Sequence, residues 1–236
     1  MKKLNVKNLK KILIHKKNEY KYLSPHIFRN KNNFILAYCN RKSKKKFYGE
    51  INFAKSEDLE KWTKVNNIFI KPKKKSNYYS YLSPAVSSYK NKKMLFLEAQ
   101  GKNKSEILLF IPKSKNKWKE KKLKILQDIK GDIIQSPFLY RENQKMFLFF
   151  SSNRNQIKCL VLDENLKKKK LINFFKVSHF NERFSIYSPS VIKYKKTYFM
   201  FYAAWKNAFI GNINIAVSND LFKWKKIKQN IFKLNK

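Results

Sequence analysis

Glycine is scarce in this chain, with four residues in 236. Neither GxGxxG nor GxxxxGK followed by Ser or Thr occurs. Dinucleotide-binding and P-loop chemistry, which need glycines for close backbone approach to phosphate, therefore have no material. Cysteine is scarcer still. Cys39 and Cys159 are the only two, and in a chain this long they read as reduced core residues. The start, Met1-Lys2-Lys3-Leu4-Asn5-Val6-Lys7, is basic, but no apolar stretch of roughly 7–15 residues follows it. No window approaches the roughly 18 consecutive apolar residues of a membrane span. The expectation is a cytoplasmic protein without a membrane span. His15, His26 and His179 are the only histidines. None has a second ligand at metal spacing, so no metal and no cofactor is expected.

Acidic residues are the third shortage: 15, against 55 Lys and Arg, for a formal charge of +40. Such an excess raises non-specific affinity for polyanions and disfavours self-association, which points to a monomer. Nucleic acid, anionic lipid and acidic polysaccharide all fit. Abundant Lys, Asn, Ile and Phe match an AT-rich genome, but that drift does not explain so few Glu, whose codons are also AT-rich. The lysines are spread through turns, as in Lys42 to Lys46, Lys73 to Lys75 and Lys167 to Lys170. Dispersed like this they read as solvated faces and as blocks to edge-to-edge strand pairing.

What the chain does contain is a repeat. Ser24-Pro25 leads to Phe34–Tyr38, Ser83-Pro84 to Met94–Glu98, Ser136-Pro137 to Met146–Phe150, and Ser188-Pro189 to Tyr198–Tyr202. From each proline to the end of its run is 13, 14, 13 and 13 positions, and successive prolines are 59, 53 and 52 apart. Each period holds four short runs rich in aromatic and β-branched residues, separated by polar turns. The first holds Ser24–Phe28, Asn33–Asn40, Glu50–Lys55 and Trp62–Ile70. Such runs are too short for typical helices and suit strands. Four strands per period of roughly 50 residues is the signature of a propeller blade. The fold expected is all-β, a β-propeller in a single domain over 1–236, with repeats at about 22–72, 81–128, 134–178 and 186–234. Met146–Phe150 is apolar at every position, as for a strand covered on both faces.

A second motif recurs at the turn between third and fourth strands. Ala54-Lys55-Ser56-Glu57-Asp58-Leu59-Glu60-Lys61-Trp62 matches Ala216-Val217-Ser218-Asn219-Asp220-Leu221-Phe222-Lys223-Trp224. The aspartates read as turn caps and the tryptophans as packing between blades.

The Ser-Pro-x-Val/Ile step, the aromatic second strand and the Ala-x-Ser-x-Asp-Leu-x-x-Trp turn together resemble the five-bladed β-propeller glycosidases, families 43, 32 and 130. The resemblance runs over residues 22–232. It implies five blades, the fifth a degenerate one from residues 1–20 and the last residues of the chain; four blades is the alternative. Repeat two also looks like a propeller domain found beside some sugar and formyl transferases. In the glycosidases the first strand of each blade lines a central funnel, and the catalytic carboxylates stand at its start. Ser24, Ser83, Ser136 and Ser188 occupy the matching positions. Glycoside hydrolysis needs a pair of carboxyl groups, and a serine hydroxyl of ordinary pKa cannot act as the acid.

The candidate catalytic acids are Glu98, Asp132 and Glu182. Glu98 ends a strand where its siblings are Tyr38, Phe150 and Tyr202, and such a carboxylate is either functional or a satisfied structural group. Asp132 and Glu182 precede the third and fourth Ser-Pro steps, where the resemblance implies a funnel rim. Candidate substrate-binding residues are Ser24, His26, Arg41, Ser83, Ser136, Arg154, Arg183, Ser188 and Trp205. Trp205 and the tyrosines Tyr22, Tyr81 and Tyr187 could stack on sugar rings or pack between blades. The few arginines, including Arg29 and Arg141, suit capture of carboxylate or phosphate. The functional expectation is a carbohydrate-binding propeller, for an acidic or phosphorylated glycan, without standard glycoside hydrolase activity. The alternative is an active carbohydrate enzyme using Glu98 with Asp132 or Glu182.

Overall fold

The structure is a computed structural model and describes residues 21–30, 32–41, 48–89, 92–114, 117–123, 126, 133–178 and 180–227. It is all-β, with four sheets of four strands. The first is β1 (Lys21–Asn30), β2 (Asn33–Arg41), β3 (Gly49–Ser56) and β4 (Thr63–Ile70). The second is β5 (Tyr78–Tyr89), β6 (Lys92–Gly101), β7 (Ser105–Ser114) and β8 (Lys117–Lys121). The third is β9 (Ile134–Glu142), β10 (Lys145–Ser152), β11 (Gln156–Leu162) and β12 (Lys168–Lys176). The fourth is β13 (Ser185–Tyr194), β14 (Thr197–Trp205), β15 (Gly211–Ser218) and β16 (Lys225–Ile227). Each sheet runs in sequence order, the meander expected of a blade. Residues 1–20 and 228–236, from which a fifth blade would be drawn, lie outside the described residues. The four sheets fit the four-bladed alternative.

Each sheet overlaps one of the four repeats read from sequence, but the first strand of each blade starts before its Ser-Pro step. β1, β5, β9 and β13 begin two to five residues before the serine of the Ser-Pro step, so that step lies inside the strand. There the register breaks, between Leu23 and His26, Leu82 and Ala85, and Tyr187 and Ser190. Proline has no N–H for the ladder and restricts the residue before it, so pairing cannot run straight through. The four serines respond alike: φ is 49° at Ser24, 46° at Ser83, 53° at Ser136 and 54° at Ser188. A left-handed non-glycine residue is uncommon, and four at equivalent positions define the bulge as a property of the blade.

The chain divides into two compact units whose boundary falls in β9, between Pro137 and Phe138. In the first, a core forms around Ile51, Leu95, Leu97 and Phe110, and Trp118 stacks on Phe53 at 6.0 Å between centroids. In the second, Phe149, Met200 and Tyr202 lie in the core, and Trp224 meets Phe149 and Phe174 edge-on, each at 6.1 Å. Burying one such side chain contributes about 2 kcal/mol. β10 is buried at every position after Lys145, whereas β14 alternates, burying Tyr198, Met200, Tyr202 and Ala204. The equivalent strands thus meet different surroundings.

The two Asp turns are duplicates. Asp58 Oδ1 accepts from the N–H groups of Glu60 and Lys61, both at 2.8 Å. Asp220 Oδ1 does the same for Phe222 and Lys223, again at 2.8 Å. Ser56 and Ser218 accept the N–H of Leu59 and Leu221 at 2.9 and 3.0 Å. Both leucines have φ of 66°, and Trp62 and Trp224 donate Nε1–H to their carbonyls. Both aspartates are held below the usual carboxylate range chiefly by these backbone N–H groups.

Candidate functional site

The bulges of the first unit converge on Glu98. Its strand β6 pairs Glu98 with Leu82 of β5 and Ile107 of β7, which sets the carboxylate beside the Ser83 bulge. It is 3% exposed. Oε2 accepts the Ser83 hydroxyl at 3.3 Å and the Ser136 N–H at 3.0 Å. Oε1 accepts the Ser105 hydroxyl at 3.3 Å and Gln135 Nε2–H at 3.2 Å. Ser24 Oγ lies 3.5 Å from Ser83 Oγ. The Ser24 hydroxyl is exposed, Ser83 is half-buried and Ser136 is buried. Two bulge serines, Ser24 and Ser83, thus lead from solvent to one carboxyl group, and the backbone N–H of a third, Ser136, meets the same oxygen.

All four donors to Glu98 are neutral. Burial pushes its pKa up, against the pull of Ser136, Gln135, Ser83 and Ser105. With both oxygens occupied and little surface open, Glu98 can orient Ser83 and fix Ser136. His26 and Cys39 belong to the same unit. His26 Nε2 lies 3.0 Å from the Val86 carbonyl, so Nε2 carries the proton, and burial lowers the ring's pKa. His26 is thereby a neutral bridge from β1 to β5. Cys39 is buried, and its thiol is pushed up to about 12, by burial first and then by the Glu98 charge. Burial raises Cys159 well above its ordinary value. Neither thiol is poised to react. Arg41 ends β2, half-buried, paired with Lys21 and Gly49.

The second unit holds a different carboxylate. Glu182, in a short 3-10 turn (Phe180–Glu182), is fully buried. It pairs with Lys226 of β16 and accepts the hydroxyls of Tyr202 at 3.0 Å and Ser178 at 3.2 Å, and Asn214 Nδ2–H at 3.1 Å. Burial works to raise its pKa, but the Lys226 charge and hydrogen bond, with Tyr202 and Asn214, hold it below the ordinary value. Lys226 also donates to the Lys176 carbonyl at 2.7 Å and to Ser178 Oγ at 2.8 Å. The residue read from sequence as a rim acid is therefore an interior ion pair. Ser188 is exposed at its bulge. Arg183 Nε donates to the Lys206 carbonyl at 3.4 Å. Arg154 is exposed at the tip of the β10–β11 hairpin with φ of 56°. Trp205 stacks on Tyr187 from β13 at 6.4 Å between centroids. From β15, Gly211 sits so close that a Cβ there would be 2.8 Å from the indole. Both neighbouring strands thus pack the Trp205 ring.

Of the sequence candidates, the structure brings Ser24, Ser83, Ser136 and Glu98 together. Tyr81 is buried edge-on to Phe110, a packing role. Asp132 and the Tyr22 side chain lie outside the described residues. Ser105 and Gln135 were not read from sequence; Gln135 adjoins Ser136, the one signal that pointed to it. Among the described residues no cluster of His, Cys, Asp and Glu could hold a metal ion. No helix among them is long and apolar enough to cross a membrane.

No protein-family model matches the chain, and no curated protein does. Solved structures do. A thermostable family-43 glycoside hydrolase is 17% identical, with TM-score 0.70 over 88% of this chain and 72% of that one. A structure described as a glycoside hydrolase is 14% identical, with TM-score 0.72 over 95% and 78%. An endo-arabinase from Bacteroides thetaiotaomicron is 17% identical, with TM-score 0.69 over 89% and 81%. These likenesses show the fold: the chain has the β-propeller fold of family-43 glycoside hydrolases.

Proposed function

We propose that this chain binds a carbohydrate through its Ser-Pro bulges and lacks standard glycoside hydrolase activity. The observation that carries the reading is the Ser24–Ser83–Glu98–Ser136 array. It ends in an exposed hydroxyl, suited to hydrogen bonding with a polyol, and its one carboxyl group is buried among neutral donors. Hydrolysis calls for two carboxyl groups flanking the bond. Glu98 is enclosed and Glu182 is paired with Lys226, which leaves neither suited to that work. The glycosidase-like fold supports a sugar ligand by analogy alone. The arginines and the +40 charge favour an acidic or phosphorylated glycan, with non-specific polyanion binding beside it. The chain acts as a monomer.

A second reading has one observation behind it. The alternative is an active carbohydrate enzyme using Glu98 with Asp132 or Glu182; burial raises the Glu98 pKa, the direction of shift that a general acid needs. A glycan array at physiological salt, carrying neutral arabinans, uronic-acid and phosphorylated glycans, separates the readings when run beside an aryl-glycoside hydrolysis assay. Binding that Ser24→Ala with Ser83→Ala weakens at least tenfold, without turnover, is the expected result. Turnover abolished by Glu98→Gln would establish the enzyme. Absence of any glycan ligand would sink both.

A further inference from the structure

Where β13 begins, β14 ends and β15 begins, three apolar side chains face solvent: Phe184 at 59%, Phe209 at 92% and Ile210 at 49% exposure. They are firmly held. Lys206 N–H donates to the Ile210 carbonyl at 2.9 Å, closing the β14–β15 hairpin. Asn207 Oδ1 accepts the N–H groups of Phe209 at 2.9 Å and Ile210 at 2.8 Å. Phe184 N–H donates to the Trp205 carbonyl at 2.9 Å, which sets Phe184 beside the hairpin. Arg183 reaches the Lys206 carbonyl, and the Arg154 carbonyl accepts Ile186 N–H at 2.6 Å. Arg183 and Lys206 thus flank the apolar residues along the chain, and the Arg154 backbone adjoins β13 beside them. No acidic residue occurs between Glu182 and Asp220, and Glu182 is paired with Lys226.

We propose that this tip docks the protein on an anionic lipid bilayer. Peripheral anchoring takes two signals, an apolar insertion and attraction to charged headgroups. Here Phe209, Ile210 and Phe184 supply the first, and Arg154, Arg183 and Lys206 the second. The net charge of +40 adds long-range attraction to an anionic leaflet. A single-stranded nucleic acid would stack its bases on the phenylalanines, but Ile210 offers no π face, whereas a bilayer takes all three side chains. The inference shares Arg154 and Arg183 with the glycan reading, but its apolar residues lie outside the serine array, so variants at Phe209 and Ile210 test it separately.

The test is co-sedimentation at physiological salt with phosphatidylcholine vesicles and with vesicles that also carry phosphatidylglycerol. Wild type is expected to pellet with the anionic vesicles only. Phe209→Ala with Ile210→Ala, both at exposed positions, should keep the melting temperature and lose about tenfold or more in vesicle affinity. Phe209→Trp should blue-shift in emission on anionic vesicles as the new indole leaves water. The proposal is overturned by no binding to anionic vesicles, by equal binding of the double variant, or by no emission shift. A double variant that loses binding to a poly-uridine oligomer while keeping vesicle affinity also overturns it.

Discussion

The backbone N–H of Ser136 donates to Glu98 Oε2 at 3.0 Å, tying a bulge serine to a carboxyl group 38 positions earlier. The same oxygen takes the Ser83 hydroxyl. Two strained serines are thereby braced by one acid. The sequence spacing set Glu98 level with Tyr38 and Tyr202, but the cross-strand pairs Leu23–Cys39, Leu82–Glu98 and Tyr187–Ala203 make Cys39 and Ala203 its true counterparts. The brace has a cost, since a charge in this setting is poorly solvated.

Replacing Glu98 tests the brace. Glu98→Ala removes the acceptor of four donors and leaves space behind, so it should lower stability by about 2–4 kcal/mol in urea unfolding. Glu98→Gln should be mild and should change the pH dependence. The folded pKa of Glu98 is raised above its ordinary value of 4.5. Its favourable contribution is therefore complete below that value and is lost as pH rises through the folded pKa. The stability of Glu98→Gln relative to wild type should rise over that interval. A flat difference from acid to neutral pH would show that burial does not perturb this group.

The ion pair in the second unit has the opposite sign. Glu182 is depressed below 4.5, so its contribution is present above that value and lost as pH falls through the folded pKa. Glu182→Ala leaves Lys226 without its partner, and Lys226 is only 13% exposed. That loss should cost about 3 kcal/mol. Glu182→Gln with Lys226→Met, which removes both charges, should cost much less. A double-mutant cycle by chemical denaturation reads the difference, and additive single effects would contradict a coupled pair.

The left-handed serines invite a separation of stability from function. Glycine at φ near +50° avoids the Cβ clash of about 1–2 kcal/mol but loses more chain entropy on folding. Ser24→Gly and Ser188→Gly should therefore change stability by less than about 1 kcal/mol. Valine at either site, branched at Cβ, should cost clearly more. If the hydroxyls serve a ligand, Ser24→Gly will weaken glycan binding in spite of its small effect on stability. Equal binding by Ser24→Gly and wild type would assign the serine to the bulge alone.

The strands were legible because their residue types and spacing are local properties. Met146–Phe150 announces a strand covered on both faces, and the Asp58 and Asp220 turns read directly as caps. The bulge was not legible. Ser-Pro looks like a strand start, and only cross-strand pairing reveals that Tyr78–Leu82 precede it in the same strand. Site partners were hidden for a similar reason. Ser105 reaches Glu98 because β7 pairs with β6, and Lys226 reaches Glu182 across 44 positions. Neither spacing follows any local period. Glu182 looked like a rim acid since nothing near it in sequence foretells a lysine partner 44 positions later.

Gly49 offers the sharpest packing test. It opens β3 opposite Arg41, and its N–H donates to the Ser80 hydroxyl at 2.9 Å. A Cβ there would fall 2.6 Å from Ser80 Oγ, 2.8 Å from Cys39 Sγ and 2.8 Å from the Tyr81 carbonyl oxygen. Ser80 and Cys39 are fully buried, and the carbonyl belongs to the backbone of β5, so no contact yields by swinging a flexible side-chain end. Gly49→Ala must then push β3 away from β5, at a cost of about 3 kcal/mol. Ser80→Ala beside it removes the nearest atom of the three but leaves the carbonyl contact and takes away the acceptor for the Gly49 N–H. The double variant should therefore regain little of the lost stability. Full recovery would mean that Ser80, rather than the β5 backbone, sets the limit at this junction.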